Sequence, residues 1–385
     1  MGVEEGNAVT SASVAQPRRV FLHIGVPKTG TTYLQDRLWR NRDAALRQGF
    51  LYPGDIREAH FHAAVQLQPD RYPHWVDPRH GHAWDRLVAQ VREWPGSSVI
   101  SHELLATATA EQAAKALRAL SFAEVHIVCT ARDLARQIPS VWQENLKNRH
   151  TATFGEFVAA IRRREESEEA PFWEYQDLPR ILATWGAGLP PERVHVVTSP
   201  SPVDSPQVIW QRFTTALGID PAGLTRDLPT ANNSLDAPQL ELLRRLNGRL
   251  HDIDWERYES VVKEYLVGNL MIVSSWRGTQ KLPESDVEWV SDIAAEFVGE
   301  IEAAGYHVVG DLGDLQPRSA STAVSAEPGD RDLLDVAVDT LVDVMRTMPK
   351  PASDRTAGQR IRNMVRGQHL RLRAQWSGQS RRQNI

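Results

Sequence analysis

A three-layer α/β fold, with a mostly parallel sheet between helices and a helical C-terminal extension, is the architecture this 385-residue sequence predicts. Three observations predict it. Short apolar runs with β-branched members recur at residues 20–24, 97–101, 123–130 and 193–197. Segments with apolar residues at helical spacing separate them, which is the alternation that parallel strands with crossover helices require. From about residue 231 the strand pattern stops and helical spacing continues at 238–250, 255–267 and 284–304.

Composition narrows the class further. Hydrophobic residues make up 41% and charged residues 24%, which suits a water-soluble globular chain. A net charge of −5 argues against a general nucleic-acid binder. Cys129 is the only cysteine, so neither an intrachain disulfide nor a cysteine-based metal cluster is available, and its place in the run Val125-His126-Ile127-Val128-Cys129 reads as a buried strand thiol. No stretch approaches the roughly 18 consecutive apolar residues of a membrane helix. The first residues lack a basic region followed by an apolar core, so a cytoplasmic location is the expectation.

Residues 1–17 are small and polar and are expected to be disordered. The next segment organises the chain. Val20-Phe21-Leu22-His23-Ile24 reads as a strand, Gly25-Val26-Pro27-Lys28-Thr29-Gly30 as a tight turn, and Thr31-Thr32-Tyr33-Leu34 as the opening of a helix that runs to about Arg47. A glycine-bounded turn leading into a helix offers backbone N–H groups, the helix dipole and hydroxyls to an anion. Lys28 adds a full positive charge inside the turn. A nucleoside-triphosphate loop of the form G-x-x-x-x-G-K-[ST] carries its lysine after the second glycine. Gly25 and Gly30 keep that glycine spacing, but Thr31 follows the second glycine. The segment therefore predicts a P-loop-like nucleotide-binding core that takes a phosphate-like oxyanion without the standard Mg-ATP arrangement.

Residues 57–82 concentrate five histidines, His60, His62, His74, His80 and His82. No carboxylate or cysteine set completes a metal-ligand shell around them. This segment is expected to shape the entrance for an acceptor, and no metal is expected. A helix at 83–94 leads to the strand at 97–101 and then to His102-Glu103. Two titratable residues at the end of a parallel strand are candidate general bases. Capping of the helix that begins near Thr109 is the alternative role. The strand at 123–130 opens into Ala131-Arg132-Asp133, with Ser140 eight positions after Arg132 on the following helix. An arginine fork in the turn and a hydroxyl on the helix can meet on one small anion.

Together these segments resemble the sulfotransferases that use 3′-phosphoadenosine-5′-phosphosulfate (PAPS) as donor, and most closely their bacterial members. The resemblance covers roughly residues 19–220. In that family a loop P-K-[TS]-G-[TS]-[TS] holds the 5′-phosphosulfate, and Pro27, Lys28, Thr29, Gly30, Thr31 and Thr32 match it. An arginine at a strand end with a serine eight residues on holds the 3′-phosphate, matched by Arg132 and Ser140. The base is a histidine or glutamate after an intervening strand, where Ser101-His102-Glu103 stands, with Glu103 the more family-typical member. Arg277-Gly278-Thr279 is the counterpart suggested for a later donor-binding loop. The resemblance implies in-line transfer of a sulfuryl group from PAPS to a hydroxyl or amine of a small molecule or glycan. Lys28 would stabilise charge on the leaving oxygen, and no metal would be required. A nucleotide kinase or NTPase with a variant loop, and a non-catalytic nucleotide-binding protein of the same fold, are the competing readings.

The expected organisation is a sulfotransferase domain over residues 18–310, α/β to about 220 and helical after. A linker rich in Ser, Ala, Pro and Gly follows at 311–330, and residues 331–385 form a helix and a basic tail. From Arg355 to the end there are eight arginines and no acidic residue. Asn232-Asn233-Ser234 is expected to cap the next helix, with approach to the donor as the alternative role. Trp142, Phe172, Trp173, Tyr175 and Trp185 are candidates to pack the acceptor side, with core packing the favoured role for each. The oligomeric state is not written in the sequence.

Overall fold

The computed structural model describes residues 18–165, 171–201, 205–227, 235–271, 280–317 and 328–347. Six described strands form one sheet: β1 (Arg19–His23), β2 (Phe50–Leu51), β3 (Ser97–Ser101), β4 (Glu124–Ala131), β5 (Val194–Thr198) and β6 (His307–Val309). Their order is β2-β3-β1-β4-β5-β6, and every neighbouring pair is parallel. The predicted parallel sheet is therefore present, with the strand of the glycine-bounded turn at its centre.

The described α-helices are α1 (Thr31–Arg47), α2 (Ala59–Leu67), α3 (Ala83–Glu93), α4 (Ala110–Ala119), α5 (Leu134–Lys147), α6 (Phe154–Arg163), α7 (Trp173–Gln176), α8 (Leu178–Gly186), α9 (Gln207–Leu217), α10 (Ala237–Asn247), α11 (Trp255–Tyr258), α12 (Val287–Ala304) and α13 (Asp330–Thr347). Helix α11 continues into π-helical turns over Glu259–Leu270. Local chemistry sets many of the boundaries. Thr109 with Gln112, Thr153 with Glu156 and Asp236 with Gln239 form reciprocal capping boxes at the starts of α4, α6 and α10. Asp133 caps α5 through the amide of Arg136.

Alternation along the strands builds the layers. Val20, Leu22, Val125, Ile127, Cys129, Val194 and Val196 join the larger core with helices α2 to α6, α8, α10 and α12. Phe21, Val99, Val128 and Val197 point to the opposite face and pack with Leu34 and Leu38 of α1 and Trp210 and Phe213 of α9. Helices thus cover both faces of the sheet. Cys129 is fully buried, and burial raises its thiol pKa well above the usual range, as expected of a strand thiol. The expected aromatic packing is also present: Phe172 and Trp185 are fully buried, and the indole of Trp185 donates to the carbonyl of Leu105 at 2.9 Å.

The continuation beyond residue 220 departs from expectation in one respect. It is not wholly helical, because after α12 the chain returns β6 to the sheet edge beside β5. Three residues are too few for a period-two pattern to register in the sequence. The segment expected to start the linker also carries fixed structure. Asp314 accepts from Arg212 at 2.6 Å and from the hydroxyl of Thr198 at 3.0 Å, and Leu315 is buried. Asn232-Asn233-Ser234, Arg277-Gly278-Thr279, residues 1–17 and the basic tail lie outside the described residues. The chain divides into two compact units, residues 1–333 and 334–385. No helix among the described residues is long and apolar enough to cross a membrane.

Candidate functional site

The sheet order creates a crevice where it meets the sequence-predicted site. From β1 the chain crosses to β2 on one side, and from β4 it crosses to β5 on the other. Adjacent strands whose crossovers diverge leave a gap at their carboxyl ends, the position at which open parallel sheets receive ligands. Here that gap lies between the β1–α1 turn and the β4–α5 turn, which hold Lys28 and Arg132.

The β1–α1 turn is anchored on β4. The amides of Ile24 and Val26 donate to Val128 and Thr130, each at 2.9 Å. Gly25, Lys28 and Gly30 all have positive φ, at 96°, 68° and 96°. Glycine takes that conformation freely, whereas a lysine there costs about 1–2 kcal/mol. A non-glycine residue held left-handed at a tight turn is the kind of local strain that collects at functional sites. Gly30 is also the residue preceding α1, and no side chain caps that helix. The first amides of α1 have no partner inside the helix, so its positive end faces the turn.

Gln137 of α5, Gln176 of α7 and Thr130 of β4 hold the turn. Gln137 and Gln176 both donate to the carbonyl of Pro27, and Gln137 also donates to Gln176 at 2.8 Å. The hydroxyl of Thr29 donates to the carbonyl of Val26 at 2.7 Å and lies 2.5 Å from that of Thr130. Thr130 in turn meets Nε2 of His23 at 3.4 Å, and Nδ1 of His23 meets the hydroxyl of Ser101 at 2.7 Å. A buried polar chain therefore runs from β3 through β1 and β4 to the turn. Burial brings the His23 pKa down to about 4, so its ring is neutral at pH 7.

Lys28 does not stand alone. Its Nζ donates to Oε2 of Glu144 on α5 at 3.0 Å. Burial works against ionisation of Glu144, but Lys28, Lys147 and Lys263 outweigh it and hold the carboxyl below its usual range. Burial likewise lowers Lys147, with Glu144 opposing and the two other lysines reinforcing the effect. Sequence reasoning missed Glu144. The available signal was its place four residues after Ser140, which puts both on one face of α5.

His102 and Glu103 sit at the carboxyl end of β3, where the backbone amide of His102 donates to the carbonyl of His23 at 3.0 Å. Glu103 lies directly against the turn. A Cβ on Gly25 would come within 3.0 Å of Cβ of Glu103, so the glycine admits the glutamate as well as the positive φ. Gln35 of α1 donates to Oε2 of Glu103 at 2.8 Å. Burial would raise the Glu103 pKa, yet His102, Gln35 and a backbone amide together keep it below the ordinary carboxylate range. Burial lowers the His102 pKa, with Glu103 opposing. Nδ1 of His102 is already committed, accepting from the amide of Leu104 at 3.2 Å at the start of the 3-10 turn Glu103–Thr107. The capping role foreseen for the pair thus belongs to His102, on that turn, while Thr109 caps α4 itself.

Arg132 and Ser140 are placed differently from the open mouth that their spacing suggests. The guanidinium of Arg132 folds along the first turn of α5, with Nε donating to Gln137 and one terminal nitrogen to the carbonyl of Arg136, both at 2.9 Å. Burial and the nearby Arg136 bring its pKa down to about 10, with Asp133 opposing, so it stays charged. It borders a cavity of about 20 Å³ together with Val26, Gln176, Leu178, Phe297 and Leu315, room for about one water. Ser140 lies two turns into α5, half-buried, and no hydrogen bond joins it to Arg132.

The histidine-rich segment is mostly architectural. His60 is buried, its Nε2 meets the carbonyl of Pro53 at 2.8 Å, and its Nδ1 accepts from the amide of Ser101 at 3.1 Å. Both ring nitrogens are thereby used. The rings of His62 and His80 stack at 3.8 Å. Phe61 lies 5.6 Å from the ring of His102, which brings this segment beside the end of β3. No family model, no curated protein and no solved structure matches the chain.

Proposed function

We propose that the chain is a PAPS-dependent sulfotransferase with a P-loop-like donor site at the β1–α1 turn. One observation carries this reading: Lys28 stands in the β1–α1 turn, beside the gap where the crossovers diverge, and Glu103, at the end of the neighbouring strand β3, packs against Gly25 of that same turn. A cation for a leaving phosphate and a carboxylate for an acceptor proton are then both held at one turn.

In this reading the turn amides and the positive end of α1 receive the phosphosulfate oxygens, and Thr31 and Thr32 add hydroxyls. The acceptor oxygen or nitrogen attacks sulfur in line. The bond from sulfur to the bridging phosphate oxygen breaks, Lys28 and the loop amides stabilise the charge on that oxygen, and Glu103 takes the acceptor proton. Lys28 exchanges Glu144 for the donor when the donor arrives. The 3′-phosphate part of the reading requires Arg132 to leave the carbonyl of Arg136 and turn toward Ser140, because the cavity it now borders is too small for a phosphate. The acceptor is a small molecule or glycan entering past Phe61 and His102. A cytoplasmic location agrees with this chemistry.

Calorimetry with 3′-phosphoadenosine-5′-phosphate against Mg-ATP tests the proposal. Metal-independent binding of the bisphosphate, weakened by Arg132→Ala, is the expected result. A preference for Mg-ATP would assign the site to the competing nucleotide-kinase or NTPase class. Labelled donor incubated with cell extract should then add one sulfuryl group to the acceptor.

A further inference from the structure

Helix α13 bears an apolar stripe turned to solvent. Leu334, Val338, Leu341 and Met345 are 63%, 49%, 57% and 73% exposed, and they recur at intervals of four, three and four residues. That spacing sets them on one face of the helix, with Val342 beside them. Asp335, Asp339 and Asp343, at successive intervals of four, form an acidic ridge along one flank of the stripe. The helix holds five aspartates against Arg331 and Arg346. A continuous exposed apolar face of this length marks an interaction surface.

The chain itself supplies a segment of the complementary chemistry. After Thr347 come Met348-Pro349-Lys350-Pro351-Ala352-Ser353-Asp354, whose two prolines cannot continue a helix. Residues 355–385 then hold eight arginines and no acidic residue. Within them Ile361, Val365, Leu372 and Trp376 recur at intervals of four, seven and four, again one face at helical spacing, with Arg362, Arg366, Arg371 and Arg373 interspersed. The seven connecting residues can span about 24 Å, against about 27 Å for the whole of α13, so the following segment can reverse direction and run back along the helix. A second copy of α13 would instead bring acidic ridges into proximity, which charge repulsion disfavours.

We propose that residues 355–376 of the same chain dock on the Leu334–Met345 stripe of α13, apolar face to apolar face, with Arg362, Arg366 and Arg373 along the aspartate ridge. The proposal is independent of the reading of the crevice.

Spin labels at Asp339→Cys and Gln368→Cys in the full chain test it, since the only native thiol, Cys129, is fully buried. Pulsed dipolar spectroscopy should give a narrow, short distance that survives dilution with unlabelled protein. Leu341→Asp should abolish that population, and the charge variant Arg362→Glu with Arg366→Glu and Arg373→Glu should do the same without touching the helix. A broad distribution in the otherwise unaltered chain would overturn the proposal. So would a short distance indifferent to both variants, or one lost on dilution, which would make a second copy the occupant.

Discussion

Lys28 and Glu144 form an ion pair at 3.0 Å that spans 116 positions of sequence and closes α5 over the β1–α1 turn. Both side chains are about one-third exposed, so the pair contributes about 0.2–1 kcal/mol and is readily exchanged. If an anionic donor competes with Glu144 for Lys28, then Glu144→Gln should tighten binding of 3′-phosphoadenosine-5′-phosphate by up to about five-fold, the factor that the upper end of that energy corresponds to. Titration calorimetry reads this directly. Weaker binding in the variant would mean that Glu144 positions Lys28 and does not compete for it. Lys28→Ala should remove transfer altogether while reducing bisphosphate affinity more mildly.

Glu103 and His102 are separable by their commitments. His102 spends Nδ1 on the amide of Leu104, whereas Glu103 is ionised, bonded by Gln35 and in contact with the glycine of the turn. Glu103→Gln is expected to lower kcat on the order of 10²–10⁴-fold, the ordinary contribution of a positioned base. It should also remove the acid limb of the pH–rate profile. His102→Ala should loosen the 3-10 turn and cost far less. A reversed order of effects would assign the proton transfer to His102.

The elements that were legible in the sequence are those whose signals are local. The central strands announced themselves by apolar runs, and Lys28, Gly25 and Gly30 by their spacing. The three-residue β6 is too short for a pattern, whereas Phe50-Leu51 ahead of Tyr52-Pro53-Gly54 reads as a short extended segment and turn and is strand β2. The polar contacts of the site are long-range: Gln35 reaches Glu103 over 68 positions and His23 reaches Thr130 over 107. Residue spacing carries no record of such pairs. Arg132 shows the converse, since its position at a strand end was readable but its orientation depends on Gln137 and on a carbonyl of α5.

Thr130 ties three elements together and offers a stability test. Its hydroxyl contacts Thr29 and His23 and donates to the carbonyl of Gly25 at 3.1 Å. Thr130→Val keeps the shape but strands buried polar groups on either side. A loss of about 1–3 kcal/mol in urea unfolding is expected. Thr32→Val, on the exposed rim of the turn, should be nearly silent in the same assay.

Acid should destabilise the fold through its buried histidines. Burial first, with smaller effects from neighbours, brings His23 and His60 to about 4 and His195 to about 3. His195 sits between two other rings, its Nε2 2.9 Å from Nδ1 of His126 and its Nδ1 2.7 Å from Nδ1 of His307. In the unfolded chain each would titrate near 6.5. Below that pH the unfolded state takes up protons that the folded state refuses. The stability these rings contribute is therefore complete above pH 6.5, declines as pH falls toward 4, and levels off only below the folded values. Each fully coupled ring adds a slope of about 1.4 kcal/mol per pH unit in that window. His60→Gln, which retains a side-chain donor near Pro53, should flatten the decline between pH 6 and 4.5 by up to one such increment, read from urea midpoints at each pH. An unchanged slope would mean that the folded chain protonates His60 at no cost.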